Sequence, residues 1–396
     1  MTRGATAWQR ARAASSLLFA FASCGTSDAR VADGGAGDDG GVAGDAAAST
    51  HDVPVLPQVP MHGGHVIAHM KLVTITFENY AFQSEIQAFG DWIVGSQWLS
   101  TVGAEYGVGA GTHIAKLVVR YTPPAVLSAN DIEQYIAAGI TMRVFPQPDD
   151  DTIYAIYYPP TTKPSGLGCD GPWWGHRTVT SPVRFTYAAM PACPPPAVFG
   201  WTQVESIEQN ASHEIIEAAT NPSLLTPSFE ITDKENPFFY MGTEIGDLCV
   251  GLTTREAGFL AQRVWSNAAA GARRPPCVPA IANDVVFGAS PVSSAPLVIA
   301  AGASKSVSVR AWASAAIGAW TVVAAPFPGY GATMTPTATL DRTSMREGDT
   351  ATLTVSVPAG AASGSHGIVV VDSVVLGAGG VAAQGPYEWP VLVEVP

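Results

Sequence analysis

Apolar and polar positions alternate along residues 66–279 with two different periods. Four segments are rich in β-branched and aromatic residues, which is typical of strands. They are VIAHMKLVTITF (66–77), HIAKLVVRY (113–121), TIYAIYY (152–158) and PVRFTYAAM (182–190). The segment 83–102 repeats its apolar residues at spacings of three and four and predicts a helix. A second helix is predicted after Ser128, because Asp131 three residues on completes a capping box.

The pattern changes after Pro279 to short β-rich runs separated by Gly, Pro and Ser turns. Such spacing is typical of an antiparallel sandwich. The phrase LDRTSMREGDTATLTVSVPAGAASGSHGIVVV (340–371) resembles immunoglobulin-like accessory domains of secreted bacterial proteins. We therefore predict an α+β domain over residues 61–280, with a zincin-like mixed sheet and helices, followed by an all-β immunoglobulin-like sandwich over residues 281–396.

A third helix, predicted from about residue 204 to 220, has one apolar stripe and one polar face. The stripe consists of Val204, Ile207, Ala211, Ile215 and Ala218. His213 and Glu217 are four residues apart and therefore lie together on the opposite face, with Glu214 beside them. Such a face either lines a cleft or is the solvated side of a surface helix with one incidental His, and the spacing leaves both alternatives open.

The segment ASHEIIEAATNP (211–222) is similar to the zinc helix of metallopeptidases, with a Glu where the second His belongs. Two ligands at i and i+4 on a rigid helix fix half of a tetrahedron, and a third ligand leaves one position for water. We therefore predict a zinc cofactor with His213 and Glu217 as metal ligands. Glu214 is the candidate catalytic base. The predicted reaction is hydrolysis of peptide bonds.

The later segment TEIGDLC supplies two more carboxylates, Glu244 and Asp247. One is predicted as the third metal ligand and the other as a partner that orients a ligand. A carboxylate in place of a second His is a normal zinc ligand, although it lowers the net positive charge of the metal.

These two blocks and the upstream CDGPWWGH (169–176) resemble the phosphate-induced or EXORDIUM-like proteins of plants and their bacterial relatives. The resemblance covers residues 66–279. It matches the polar blocks of that family at His176, His213, Glu214, Glu217, Glu244 and Asp247. Trp173 and Trp174 depart from the plant form, which puts the shape of the pocket in doubt.

The resemblance implies an extracellular protein and draws attention to His176. This residue is a further metal ligand or a substrate-orienting group, or else a loop His next to a disulfide. The resemblance also supports a second hypothesis, in which the carboxylates only brace the helix. The protein would then be a non-catalytic surface protein that binds cell-wall polysaccharide or a protein partner.

The N-terminus predicts export. Three Arg residues precede the apolar run ASSLLFAFA (14–22), which is too short to span a membrane and is typical of a signal peptide over residues 1–23. The following Ala-Ser-Cys resembles a lipobox, so we predict a lipid anchor on Cys24 and an outer-membrane or cell-surface location. Phe21 stands where a lipobox usually has Leu, and cleavage at an ordinary small-residue site is the alternative. Residues 24–60, rich in Gly, Ala and Asp, are predicted to form a flexible linker.

Charge and cysteine content narrow the function classes further. A net charge of −13 argues against a nucleic-acid partner, which requires clustered Lys and Arg. No nucleotide-binding fingerprint is present, so no nucleotide cofactor is predicted. Four cysteines remain after Cys24 and suit disulfides in an oxidising compartment. Three pairings are open; Cys169 with Cys193 and Cys249 with Cys277 are favoured because each pair brackets one loop region.

Overall fold

The computed structural model describes residues 52–164, 175–223, 225–293, 295–327, 329 and 331–396. The predicted signal peptide, the predicted lipid-anchored Cys24, Cys169 and the pair Trp173 and Trp174 lie outside these residues. Within them, helices are combined with several sheets, in agreement with the predicted α+β class with β-rich regions. In the described part of the chain, every helix is too short or too polar to cross a bilayer.

The helices are α1 (Gln83–Ile93), α2 (Gln97–Gly103), α3 (Ala129–Thr141), α4 (Gln203–Thr220) and α5 (Asn267–Gly271). The strands before residue 280 are β1 (Lys71–Phe77), β2 (Thr112–Val119), β3 (Val126–Leu127), β4 (Thr152–Tyr158), β5 (Lys163–Pro164), β6 (Gly175–Val179), β7 (Phe185–Pro191), β8 (Thr253–Glu256), β9 (Phe259–Gln262), β10 (Val264–Trp265) and β11 (Cys277–Val278). The later strands are β12 (Phe287–Pro291), β13 (Leu297–Val298), β14 (Ser304–Ala313), β15 (Trp320–Phe327), β16 (Thr337–Leu340), β17 (Ser344–Met345), β18 (Thr350–Ser356), β19 (His366–Leu376) and β20 (Ala382–Glu394).

A five-stranded mixed sheet forms the centre of the first domain, in the order β2-β1-β4-β7-β6. The first four of these strands are parallel, and β6 runs antiparallel to β7 at the edge. Side chains of a strand alternate between faces, so the buried β1, β4 and β7 contribute to two cores. One core lies under α1, α2 and α4, and the other lies under α3.

Two segments differ from the sequence prediction. The helix predicted over 83–102 is two helices, α1 and α2, because Ser96 leaves the helical conformation and its hydroxyl accepts from the Leu99 N–H to begin a new helix. The linker predicted up to residue 60 is packed over its last part, where Val53, Leu56 and Val59 are buried in the first core. The apolar side chains in VPVLPQVP provide the burial that the preceding Gly- and Asp-rich residues lack.

The C-terminal region contains two sheets, β12-β14-β18-β16 and β13-β20-β19-β15-β17. Apart from the parallel pair β13–β20, neighbouring strands are antiparallel. The inward residues of both sheets form one core that includes Phe287, Trp320, Leu353 and Val369. The two sheets are therefore packed face to face.

The first core continues into this C-terminal region. Phe327, Val370 and Leu392 belong to the same buried cluster as α4 and the central sheet. The ring of Phe238 also meets Trp389 edge-on, with centroids 5.4 Å apart. The outer face of β15, β19 and β20 therefore packs against the first domain.

The disulfide between Cys249 and Cys277 is present, as predicted. It joins the segment after α4 to β11. The other predicted pair includes Cys169, which lies outside the described residues, so this pairing stays a prediction.

Candidate metal centre

The polar face of helix α4 points into the interior of the protein. The helix begins with a capping box in which Thr202 and Glu205 satisfy each other's backbone N–H groups. Every residue from 211 to 220 is buried, and the exposed fractions of His213, Glu214 and Glu217 are only 8%, 7% and 1%. These values exclude the solvated-face alternative.

The chain after α4 folds back and closes over this face. Ser228 N–H donates to the side chain of Asn221, the residue that ends the helix, at 2.8 Å. Farther on, the N–H of Trp265 donates to the carbonyl of Ile245, and the side-chain amide of Gln262 donates to the carbonyl of Gly246. These bonds hold the segment 244–247 against α4.

Six predicted residues come together in this region. They are His176 on β6, His213, Glu214 and Glu217 on α4, and Glu244 and Asp247 in the returning segment. His176, for which a loop position was one of the alternatives, lies on the edge strand β6, and no strand was predicted there.

Glu217 is central to the cluster. Its Oε1 accepts the N–H groups of Gly246 and Asp247, each at 3.1 Å. Its Oε2 lies 3.1 Å from Nε2 of His213 and 3.8 Å from Nδ1 of His176. One oxygen thus fixes the carboxylate, and the other faces both imidazoles.

Gln262 orients the ring of His213. The amide nitrogen of Gln262 donates to the Gly246 carbonyl, and its oxygen accepts from the amide of Gln209. Nδ1 of His213 lies 3.2 Å from this oxygen and 3.0 Å from the amide nitrogen. Because the nitrogen already donates to Gly246 and the oxygen accepts from Gln209, we assign the oxygen as the acceptor of Nδ1–H. Nε2 of His213 then faces Oε2 of Glu217, and a bound cation would take the place of the proton on Nε2.

His176 is oriented by the end of the helix. Its Nε2 lies 3.0 Å from the carbonyl oxygen of Asn221 and 3.4 Å from Oε1 of Glu244. Both atoms are acceptors, so Nε2 carries the proton. The Asn221 side chain donates to the same Glu244 oxygen at 2.6 Å. Glu244 therefore lies on the outer side of His176, whereas Asp247 faces His213 at 3.8 Å.

Two groups of side chains could hold a metal ion. They are His176 with Glu214 and Glu217, and His213 with Glu217 and Asp247. Within each group the ligand atoms lie within 4.8 Å of one another. Tetrahedral zinc with bonds of about 2.1 Å requires ligand atoms about 3.4 Å apart. The distances of 3.1 and 3.8 Å from His213 to its partners are close to this value.

Burial and the neighbouring charges shift the pKa values of the imidazoles and carboxylates in the cluster. Burial lowers the pKa of His213, but Glu217, with Glu214 and Asp247, more than reverses this effect and raises it to about 10. Burial likewise opposes the positive charge of His176, yet Glu244, Glu214 and Glu217 raise its pKa well above the ordinary value. Burial also raises the pKa of Glu217 and of Asp247, against the opposing effect of His213.

Three contributors were missed at the sequence level. Gln262, in the apolar context LAQRVW, is fully buried, and a polar residue at an apolar position is a signal that could have drawn attention to it. Asn221 was not predicted as a site residue. Gly246 has no local signal, yet a Cβ there would lie 2.6 Å from Oε1 of Glu217.

Comparisons with known proteins place no family on this site. No protein-family model matches the chain, and no curated protein matches it. A hypothetical protein from Saccharophagus degradans, described as nucleoside hydrolase-related and associated with carbohydrate metabolism, is similar at 9% identity with a TM-score of 0.24. The match covers 83% of this chain and 100% of that chain. A likeness at this level carries no argument about fold or function.

Proposed function

We propose that the protein is a zinc-dependent hydrolase that cleaves peptide bonds. The observation that carries the proposal is the Glu217 carboxylate, which is pinned by two backbone N–H groups and directs its second oxygen at two imidazole nitrogens. Preorganised nitrogen and oxygen donors in a buried setting are what a zinc site needs.

The donor set fits a divalent cation. Four carboxylates, those of Glu214, Glu217, Glu244 and Asp247, are nine-tenths or more buried. In the part of the chain that the structure describes, their ion pairs involve only His176 and His213, with no Lys or Arg. Buried carboxylates without a permanent cationic partner are costly, and a bound cation removes much of that cost.

The residues of the cluster would have different roles in binding the ion and in the reaction. His213, Glu217 and Asp247 would hold the ion, with Gln262 fixing the His213 ring. A zinc ion at this position would supply Lewis acidity toward a substrate carbonyl. Glu214 Oε1, 3.9 Å from Nε2 of His213, is placed to accept a proton from attacking water. The water oxygen bonds to the carbonyl carbon, the C–N bond breaks, and Glu214 returns the proton to the departing amine.

The setting of this activity is also part of the proposal. An export signal and a lipid anchor on Cys24 would place the enzyme on the outer membrane or cell surface, where the Cys249–Cys277 disulfide is stable. The EXORDIUM-like resemblance agrees with an extracellular role. The two C-terminal sheets would be an immunoglobulin-like accessory domain beside the zincin-like one.

The first test is metal analysis of the purified full-length chain. We expect at least one zinc ion per chain and a lower zinc content in His213→Ala. His65→Ala, which removes an exposed imidazole whose hydrogen bond is to the Asp150 carbonyl, is the matched control and should keep the zinc. Cleavage of a mixed peptide library should depend on His213 and Glu214. A metal-free chain with unchanged behaviour in His213→Ala would contradict the proposal.

A second function is favoured by the internal bonding of the cluster. Glu217 accepts two backbone N–H groups, and Glu244 accepts from Asn221, so the carboxylates also brace α4 against the returning segment. In that case the protein is a non-catalytic surface protein that binds polysaccharide or a partner. His213→Ala would then lower the melting temperature, while metal content and peptide cleavage would be absent in both proteins.

A further inference from the structure

We propose a second cation site, formed by His176, Glu214 and Glu217, that shares the Glu217 carboxylate with the first. The inference rests on the proposed metal function and extends it from one ion to a pair. His176 comes from the edge strand β6, whereas the ligands of the first ion come from α4 and the segment that returns over it.

The orientation of His176 supports this site. Its outer nitrogen, Nε2, faces only acceptors, the Asn221 carbonyl at 3.0 Å and Glu244 at 3.4 Å, so that nitrogen holds the proton. In the neutral ring, the lone pair of Nδ1 then points inward. The atoms that it meets are Oε2 of Glu214 at 3.5 Å and Oε2 of Glu217 at 3.8 Å.

A lone pair that faces two carboxylate oxygens is repelled unless a positive charge lies between them. That charge is either a second proton on the ring or a cation bound by all three atoms. The side chain of His176 is only 3% exposed, which keeps bulk water from screening the repulsion. The three ligand atoms lie within 4.8 Å of one another, which leaves room for an ion among them.

The two imidazoles belong to different donor groups. His213 is grouped with Glu217 and Asp247, and His176 with Glu214 and Glu217. An ion placed for His213 is therefore not placed for His176. Glu217 Oε2 faces both rings, at 3.1 and 3.8 Å, and is the atom that two ions would share. In two-metal hydrolytic sites the ions are about 3.5–4 Å apart.

The carboxylates of the cluster carry enough charge to accommodate two divalent ions. The four buried carboxylates, Glu214, Glu217, Glu244 and Asp247, carry four negative charges when ionised. With both imidazoles neutral, one divalent cation cancels half of this charge and two cancel all of it. Glu214 would bind the second ion through Oε2 and keep Oε1, on the His213 side, for proton transfer.

Two cations would stabilise the attacking water oxygen and the negative charge that develops on the carbonyl oxygen of a peptide bond. Peptide bonds near a free amino or carboxyl end, which offers a second metal-binding group, are the class that fits.

The test is a titration of the metal-free full-length chain with Mn²⁺, followed by calorimetry and by electron paramagnetic resonance. We expect about two ions per chain and the spectrum of a coupled Mn²⁺ pair, because ions about 4 Å apart interact magnetically. His176→Ala and Glu214→Gln should each leave one ion with an isolated Mn²⁺ spectrum. Asp247→Asn should also leave one ion, held at the other site. His65→Ala is the control and should keep the pair.

The outcomes separate the two proposals. One ion in the unmodified chain, unaffected by His176→Ala but lost in His213→Ala, would overturn the second site and leave the hydrolase proposal standing. No bound Mn²⁺, together with no zinc in the metal analysis of the purified chain, would overturn both. If a variant fails to fold, the spectrum of the unmodified chain still shows whether its Mn²⁺ ions are coupled as a pair or isolated.

Discussion

Helices α3 and α4 lie on opposite faces of the same sheet and begin with the same kind of capping box, yet they differ in what surrounds them. Helix α3 buries Ile132, Ile136 and Ile140 and leaves polar residues such as Gln134 in solvent. Helix α4 buries both its apolar stripe, from Ile207 onward, and its polar face. A second layer over the polar face, made by β9 and the segment 244–247, converts an ordinary amphipathic helix into a candidate metal centre.

The largest expected effect is on cation affinity. Glu217→Gln keeps the size of the side chain and the acceptor for Gly246 and Asp247 but removes the charge next to both imidazoles. We expect the affinity for Zn²⁺ to fall by more than about 100-fold, since partners outside the ligand shell alone account for 10–100-fold. Equilibrium dialysis measures the change.

Glu133→Gln on α3 is the matched control for that variant. Glu133 pairs with Arg177 at 2.7 Å and is partly exposed. We expect unchanged zinc affinity and a loss of less than about 1 kcal/mol in the free energy of unfolding. Equal effects of the two variants would remove the contrast between the helices.

Glu208, on the same helix before His213 and Glu217, tests the cost of burying a carboxyl group without a metal. It is 4% exposed, and burial raises its pKa to about 7, although the Leu260 N–H opposes the shift. A folded-state pKa above the unfolded value means that the native state binds the extra proton. Stability therefore falls as pH rises from about 4.5 to about 7, by up to about 3 kcal/mol.

Glu208→Gln should remove this pH dependence. Its side-chain oxygen still accepts from Leu260, and it cannot ionise. We expect the variant to be more stable than the unmodified protein at pH 8 and no more stable at pH 4, in urea unfolding at both pH values. A gain of the same size at both would contradict the assigned cause.

Gly246→Ala tests how closely the covering segment approaches α4. A Cβ at this position would lie 2.6 Å from Oε1 of Glu217 and 2.9 Å from Nδ1 of His213. We expect a loss of about 1–3 kcal/mol in the free energy of unfolding, because backbone or ligands must shift. Zinc affinity should fall with it. Gly95→Ala, where a Cβ would meet no atom within 4 Å, should leave zinc affinity unchanged.

The smallest expected effect is common to both helices. Ser128→Ala and Thr202→Ala each remove a side chain that accepts an N–H in the first turn. Each should cost about 1 kcal/mol, as N-cap truncations do. Thermal unfolding of the two variants would show whether the helices are equivalent at their ends.

Local signals in the sequence were sufficient for α4 itself. Its predicted bounds, from about residue 204 to 220, agree with Gln203–Thr220, and the capping box of α3 was identified from Ser128 and Asp131. The Cys249–Cys277 pairing was also predicted correctly. The two helix features depend on periodicity or on residues close in sequence, whereas the disulfide joins cysteines 28 residues apart.

The features that depend on long-range contacts were not accessible in the same way. Periodicity placed His213 and Glu217 on one face but could not show that β9 and the returning segment bury it. The position of His176 depends on strand β6, whose pairing partner is β7 and which has no clear alternating pattern of its own. The burial of Val53 and Val59 likewise arises from contacts with residues far along the chain, since Val59 N–H donates to Asn267.

The apolar core that runs from α4 through Phe327, Val370 and Leu392 has a consequence for how the molecule melts. If the regions before and after residue 280 had separate hydrophobic cores, calorimetry would show two separate unfolding transitions. A shared interior couples them, so heat should unfold the 52–396 region in a single cooperative step. Truncation of the chain near residue 280 would expose an apolar surface on the part that carries the metal centre and would promote aggregation.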